Sequence, residues 1–302
     1  MRALQTTPGT FGMFRRALFI VSLSLFAGCA VSHKTAVKPP AVNRIQLSAT
    51  KQDLIARFNS TSGSVTSLTA TANLQLTAGS SYSGVIEQYH EVKSFILASR
   101  PADIRVIGQA PVVGKDIFDM VSDAATFEIF IPSKNEFVTG PVNFDRKAVK
   151  PVENLRPQHV LDALFWQPIS ADSVVLLEQS DEPPSQYVLI VARPLAAKGS
   201  SDWELAQKIW FDRSDLTPSR IESYGEGGAP ISDIRVSDWQ PAGDIPYPRQ
   251  ILLARPTDDY QLQISITKLT LNESIAPDKF HLAQPEGSKL VRVGPQAQEP
   301  QP

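Results

Sequence analysis

Between positions 68 and 76 apolar and polar side chains alternate without a break: Leu68, Ala70, Ala72, Leu74 and Leu76 against Thr69, Thr71, Asn73 and Gln75. Successive side chains of a strand point to opposite faces, so a period of two over this length predicts a strand with one buried and one solvated face. Further strands are expected at 83–97, 103–109, 116–123, 126–132, 135–138, 173–180, 186–193, 203–212, 218–224, 230–239, 248–254 and 259–271. Turn residues such as Ala78-Gly79-Ser80-Ser81, Arg100-Pro101 and Ser133-Lys134-Asn135 separate them at hairpin lengths. Such a succession reads as an antiparallel meander. It lacks the strand-helix alternation of a parallel sheet, which argues against a doubly wound nucleotide-binding fold.

Two helices interrupt the strands. The first is expected at 48–60, with Ser48 as its cap and Leu54, Ile55 and Phe58 at helical spacing. The second covers 156–166, where Pro157 sits in the first turn and Val160, Ala163, Leu164 and Phe165 make an apolar stripe suited to a lid or plug. In the last strand Leu262, Ile264 and Ile266 share one phase and Leu269 and Leu271 the other, which predicts a bulge between them. The fold class expected is mainly β with a few helices. A run of strands this long can form a two-sheet sandwich or a barrel, and the interleaved helices favour an incompletely closed antiparallel barrel with a helical lid.

The first 28 residues read as an export signal: Arg15-Arg16, an apolar run from Ala17 to Ala27, then the small residues Ala27-Gly28. The run is about half of the ~20 residues that span a bilayer, so a permanent transmembrane helix is the weaker reading. Cys29 follows directly and is the only cysteine of the 302 residues, so it has no disulfide partner within the chain. Leu25-Phe26-Ala27-Gly28-Cys29 resembles the bacterial lipoprotein lipobox, with Phe26 in the usual leucine position. The resemblance implies a diacylated Cys29, a durable anchor since one acyl chain binds only marginally and two or more hold firmly. Ala30 is not the aspartate that would resemble an inner-membrane retention signal, which favours the periplasmic face of the outer membrane. Residues 29–47, rich in Pro, Lys and small residues, are expected to be a lipidated flexible tether, 48–293 a single β domain and 294–302 a disordered tail.

A formal net charge of −2 with scattered basic residues gives no electrostatic footprint for nucleic acid. No Gly-x-Ser-x-Gly or His-Glu-x-x-His occurs, and the four histidines, His33, His90, His159 and His281, are far apart in sequence, so neither a serine nucleophile nor a metal site is expected. Asp181-Glu182 and Asp258-Asp259 fall in turns, where solvated carboxylates are ordinary. Tyr224-Gly225-Glu226-Gly227-Gly228 lacks the Lys-Ser/Thr of a phosphate loop. We expect no catalytic activity and no cofactor.

Phe95, Phe118, Met120, Phe127, Phe130, Trp203, Trp210, Phe211 and Trp239 all fall in expected strands. Singly each can fill a core; together, apart from Trp203, they are the candidates to line a cavity for an acyl chain. Val160, Leu164 and Phe165 are the lid candidates. Between the strands at 103–109 and 116–123 lies Ala110-Pro111-Val112-Val113-Gly114, whose adjacent valines are unusual in a hairpin loop. They either fold back onto the barrel or mark a membrane or partner contact.

From Asp103 to Trp166 the order of features is similar to the lipoprotein-localisation family, the LolA/LolB-like carriers and receptors. Pro111, Val112 or Val113, and Gly114 match the receptor's protruding Pro-Leu-Gly-like loop with one extra residue, and the helix near 157–166 follows in the same order. Phe280-His281-Leu282 and Pro285-Glu286-Gly287 resemble the carrier's closing segment. The resemblance implies a half-barrel that holds lipoprotein acyl chains, a loop at 111–114 that touches the membrane or cargo, and a periplasmic carrier as partner. Two readings stand beside it: a structural or assembly lipoprotein with a filled β domain, and an enzyme acting on envelope polymers, which needs a polar cleft.

Overall fold

A computed structural model describes residues 45–79, 86–110, 114–143, 154–195 and 202–294. The chain divides into a unit Met1–Arg44 and a unit Ile45–Pro302, and only the second contains described residues. Cys29, the signal segment, most of the tether, Pro111, Val112 and Val113, and the tail beyond Gly294 therefore lie outside the described residues.

The second unit is built on one sheet of fifteen strands, open at both edges. In chain order the elements are α1 (Lys51–Gly63), β1 (Ser67–Ala78), β2 (Glu87–Gln88), β3 (Val92–Ser99), β4 (Asp103–Gln109), β5 (Asp116–Ser122), β6 (Thr126–Ile131), β7 (Glu136–Pro141) and α2 (Pro157–Leu164). They continue with β8 (Val174–Ser180), β9 (Gln186–Pro194), β10 (Trp203–Asp212), β11 (Pro218–Tyr224), β12 (Pro230–Ala242), β13 (Ile245–Arg255), β14 (Tyr260–Leu271) and β15 (Lys289–Arg292). The spatial order is β15-β7-β6-β5-β4-β3-β1-β14-β13-β12-β11-β10-β9-β8, with β2 beside the end of β1. Two antiparallel meanders thus meet at β1, which pairs with β3 on one side and β14 on the other. This is the mainly β, incompletely closed half-barrel with helices over its concave face.

Strand parity divides the residues between faces. Ala70, Ala72 and Leu74 of β1, Ile96 of β3, Val106 of β4, Ile251 and Leu253 of β13, and Leu262 and Ile264 of β14 are buried on the concave face. The phase change in β14 is a bulge: Lys268 pairs with Thr71 and Ile266 with Ala72, leaving Thr267 extra, its hydroxyl donating to the Thr71 carbonyl at 3.0 Å. Thr50, not Ser48, caps α1. The Asp53 carboxylate accepts from the Thr50 amide at 2.9 Å while the Asp53 amide donates to Thr50 Oγ1 at 3.2 Å, a reciprocal pair that only a Thr-x-x-Asp spacing supplies. The last residues of the expected tether already belong to the body, since the Leu47 amide donates to the Arg213 carbonyl at 2.7 Å and Gln46 Nε2 to Ser185 Oγ at 2.7 Å.

The connections place the helices. From β7 the chain passes through α2 to β8, the far edge of the sheet, so α2 belongs to a crossover between the two wings on the concave side. After β14 the chain instead crosses the convex face, where Arg105 Nη1 donates to the Lys279 carbonyl at 3.0 Å, and ends as β15, parallel to β7. Gly140 lets the residue just past β15 approach β7, because a Cβ there would lie 2.5 Å from the Val293 carbonyl oxygen.

Candidate functional site

The concave face is filled by the two helices. Leu54 and Phe58 of α1 and Val160, Leu161, Ala163 and Leu164 of α2, followed by Phe165 and Trp166, join the same buried cluster as the strands. Trp166 is its hub: its ring stacks on Phe58 with centroids 6.1 Å apart and meets Trp239 edge-on at 5.9 Å, and its Nε1 donates to the Ala163 carbonyl at 3.1 Å.

Polar side chains satisfy the carbonyls that the short helices leave open, as burial without partners would be costly. Tyr247 Oη donates to the Leu164 carbonyl at 2.8 Å. Arg100 Nη2 donates to the carbonyls of Ser62 at 2.9 Å and Trp166 at 3.0 Å, and its Nε to Val65 at 3.0 Å, with the guanidinium 5.1 Å from the Phe165 ring centre. Asn59 donates to the Ile169 carbonyl at 3.0 Å and accepts from the Ile169 amide at 2.8 Å. Burial pushes the Tyr247 hydroxyl well above its ordinary pKa, with Arg100 and Arg249 opposing, so it stays a donor. At the other end of α2, His159 Nδ1 and Tyr260 Oη share a hydrogen bond of 2.6 Å. Burial, then the charges of Arg255 and Arg156, lower the His159 pKa from 6.5 to about 3, which keeps the ring neutral.

The space left is small. The void among Thr61, Ser62, Val65, Leu164, Phe165, Trp166 and Tyr247 measures about 10 Å³, about one probe sphere, against ~300 Å³ or more for a site enclosing a small ligand. An acyl chain does not fit in this void.

Of the eight cavity-lining candidates, Phe118, Met120, Phe127, Phe211 and Trp239 lie on the helix-covered face. Phe118 fills the space over Gly108, where a Cβ would come within 2.3 Å of its ring, and Trp239 reaches Trp166 after a twist at Asp238, whose φ is 57°. Phe95, Phe130 and Trp210 do not. Register opposes Phe95 to Ile107, Phe130 to Asp119 and Trp210 to Arg220, all on the convex face, so parity excludes these three from the lining. Arg220 instead covers Trp210 at 4.7 Å. The lid candidates Val160, Leu164 and Phe165 are all buried. Gly114 is exposed with φ 62°, and its amide donates to the Ala110 carbonyl at 3.0 Å. Phe95 on β3 and Ile117 on β5 are exposed.

Sequence reasoning missed Trp166 as the hub and Arg100 as the clamp. Trp166 stood one place beyond the apolar stripe, and Arg100, read as part of a turn, gave no sequence signal. Among the described residues no group of three or more His, Cys, Asp or Glu is placed to hold a metal ion, and no helix is long and apolar enough to cross a membrane.

No family profile and no curated protein matches the chain. Among solved structures, a DUF1329 family protein from Desulfovibrio piger is similar over 76% of this chain and 95% of its own, with 13% identity and a TM-score of 0.49. A LolA superfamily protein from Nitrosomonas europaea is similar over 78% and 99%, with 12% identity and a TM-score of 0.44. A domain provisionally described as outer membrane lipoprotein-sorting, from Vibrio parahaemolyticus, covers 76% and 93% at 11% identity and a TM-score of 0.41. At TM-scores below 0.5 these likenesses carry no weight for function, which is argued from this chain's own geometry.

Proposed function

We propose that this is a lipid-anchored protein of the bacterial cell envelope, attached through Cys29 at the periplasmic face of the outer membrane, that takes acyl chains of lipoproteins or lipids onto the concave face of its half-barrel. The observation that carries the reading is α2. It is a short apolar helix on the crossover from β7 to β8, packed in the concave face where an acyl chain would have to lie. Uncovering three side chains such as Val160, Leu164 and Phe165 costs about 5–9 kcal/mol, and burying ten methylenes of an acyl chain returns about 8 kcal/mol. The exchange is close to balanced, as a carrier that must release its cargo requires. In this reading the segment Pro111, Val112, Val113 and Gly114 meets the bilayer or a periplasmic donor; Ile117, three residues further along the chain, is exposed. The protein has no catalytic role in this reading.

A second reading is favoured by the filled interior: an assembly lipoprotein whose β domain binds no lipid. One experiment separates the two. The full chain, with Trp203, Trp210 and Trp239 replaced by Phe so that Trp166 is the sole indole, is titrated with a diacylated peptide brominated along its acyl chains. Saturable quenching of Trp166 is expected for acyl uptake. Unchanged Trp166 emission at saturating peptide overturns the carrier reading in favour of assembly.

A further inference from the structure

The two edges of the sheet are built differently. β15 has four residues, Lys289-Leu290-Val291-Arg292, and Lys289 is ion-paired with Glu136 at 3.1 Å. A short edge flanked by positive charge is a common device against unwanted strand pairing. The opposite edge, β8, runs for seven residues as Val-Val-Leu-Leu-Glu-Gln-Ser, with no proline, no lysine and an unbroken register against β9. Three of its four apolar side chains are exposed, Val174 at 44%, Leu176 at 61% and Leu177 at 37%, while Val175 is buried. Lys51 Nζ donates to the Val175 carbonyl at 3.1 Å, a donor that the N–H of a pairing strand can replace.

We propose that β8 pairs antiparallel with β8 of a second copy of this chain, about a two-fold axis at Leu176, joining two half-barrels into one continuous sheet. The strand is self-complementary in this register. Leu176 faces its own copy, Val175 faces the copy's Leu177, and the strand's one charged residue, Glu178, faces the copy's Val174, so the two carboxylates stay apart and apolar side chains meet on both faces. A parallel pairing in register stacks Glu178 on its copy and is disfavoured. A shift of the axis to Leu177 sets Leu176 against Glu178 and Val175 against Gln179. The length and exposure of the edge and this matching make a second copy the occupant, rather than an unrelated strand.

The test is the sedimentation of the full chain in mild detergent at concentrations up to about 100 µM, with two variants at exposed positions. The unsubstituted chain is expected to dimerise reversibly. Leu176→Lys places two ammonium groups on the axis and is expected to weaken the dimer about 100-fold. Val174→Lys sets each new lysine opposite the copy's Glu178 and is expected to keep the dimer or tighten it. A monomer throughout this range overturns the proposal, as does a dimer indifferent to Leu176→Lys or one lost equally in both variants. A monomer that captures a strand of another protein overturns it too.

Discussion

The same strands make two surfaces of opposite character. On the concave face Phe58, Trp166 and Trp239 stack among aliphatic side chains, and the polar atoms present close helix carbonyls. On the convex face, one residue along each strand, Arg220 forms a bidentate pair with Asp233 at 2.8 and 2.9 Å and also meets Glu222, while Arg235 shares Asp233 at 3.1 Å. Both faces carry aromatic residues; Trp210 lies under Arg220, and Trp239 under Trp166. An aromatic side chain therefore does not by itself mark the inner face of the sheet. That face is the side covered by α1 and α2, where apolar side chains are buried together.

Three measurements sharpen or break this contrast. Trp166→Ala removes the hub between both helices and the sheet and is expected to cost about 3–5 kcal/mol in urea unfolding. A loss below about 1 kcal/mol would mean that the helices do not share a core with the strands. The His159 bond makes the concave side sensitive to acid. A neutral form favoured by folding contributes its full stability above the ordinary pKa of 6.5 and loses it as pH falls from 6.5 toward the folded value of about 3, because the unfolded chain takes the proton first. The unfolding midpoint is expected to drop over this window. In His159→Gln, which can still bond Tyr260, that part of the slope should vanish, and an unchanged slope would assign it to other groups. On the convex face Asp233→Asn is expected to cost only about 1 kcal/mol, since partly exposed ion pairs are screened and Arg220 keeps Glu222. A loss as large as that of Trp166→Ala would erase the distinction between the faces.

Much of this arrangement was legible one strand at a time. The period-two segment at 68–76, the strands at 103–109 and 218–224 and the bulge after Ile266 are local: each follows from alternation and from turn residues that act within a few positions. The buried stripe of Val160, Leu164 and Phe165 was legible for the same reason, since helix spacing puts them on one face. The cap of α1 was misplaced by two residues because Ser48 and Thr50 are both good caps, and only Asp53 at the reciprocal spacing distinguishes them. The cavity candidates were the weak point. Composition finds aromatic residues, but the face each occupies depends on register with a partner strand, and that put Phe95, Phe130 and Trp210 outside.

The sequence by itself determined the antiparallel β class, the two short helices and the apolar stripe of the second, because these arise from periodicities of 2 and 3.6 residues within one segment. Only the tertiary structure decided that β1 joins the two meanders across nearly the whole chain, that α2 fills the concave face instead of leaving it hollow, and that Arg100 ties α1 to α2. Those outcomes rest on contacts between residues distant in sequence, where the burial of one segment's apolar face is settled by whichever other segment closes over it.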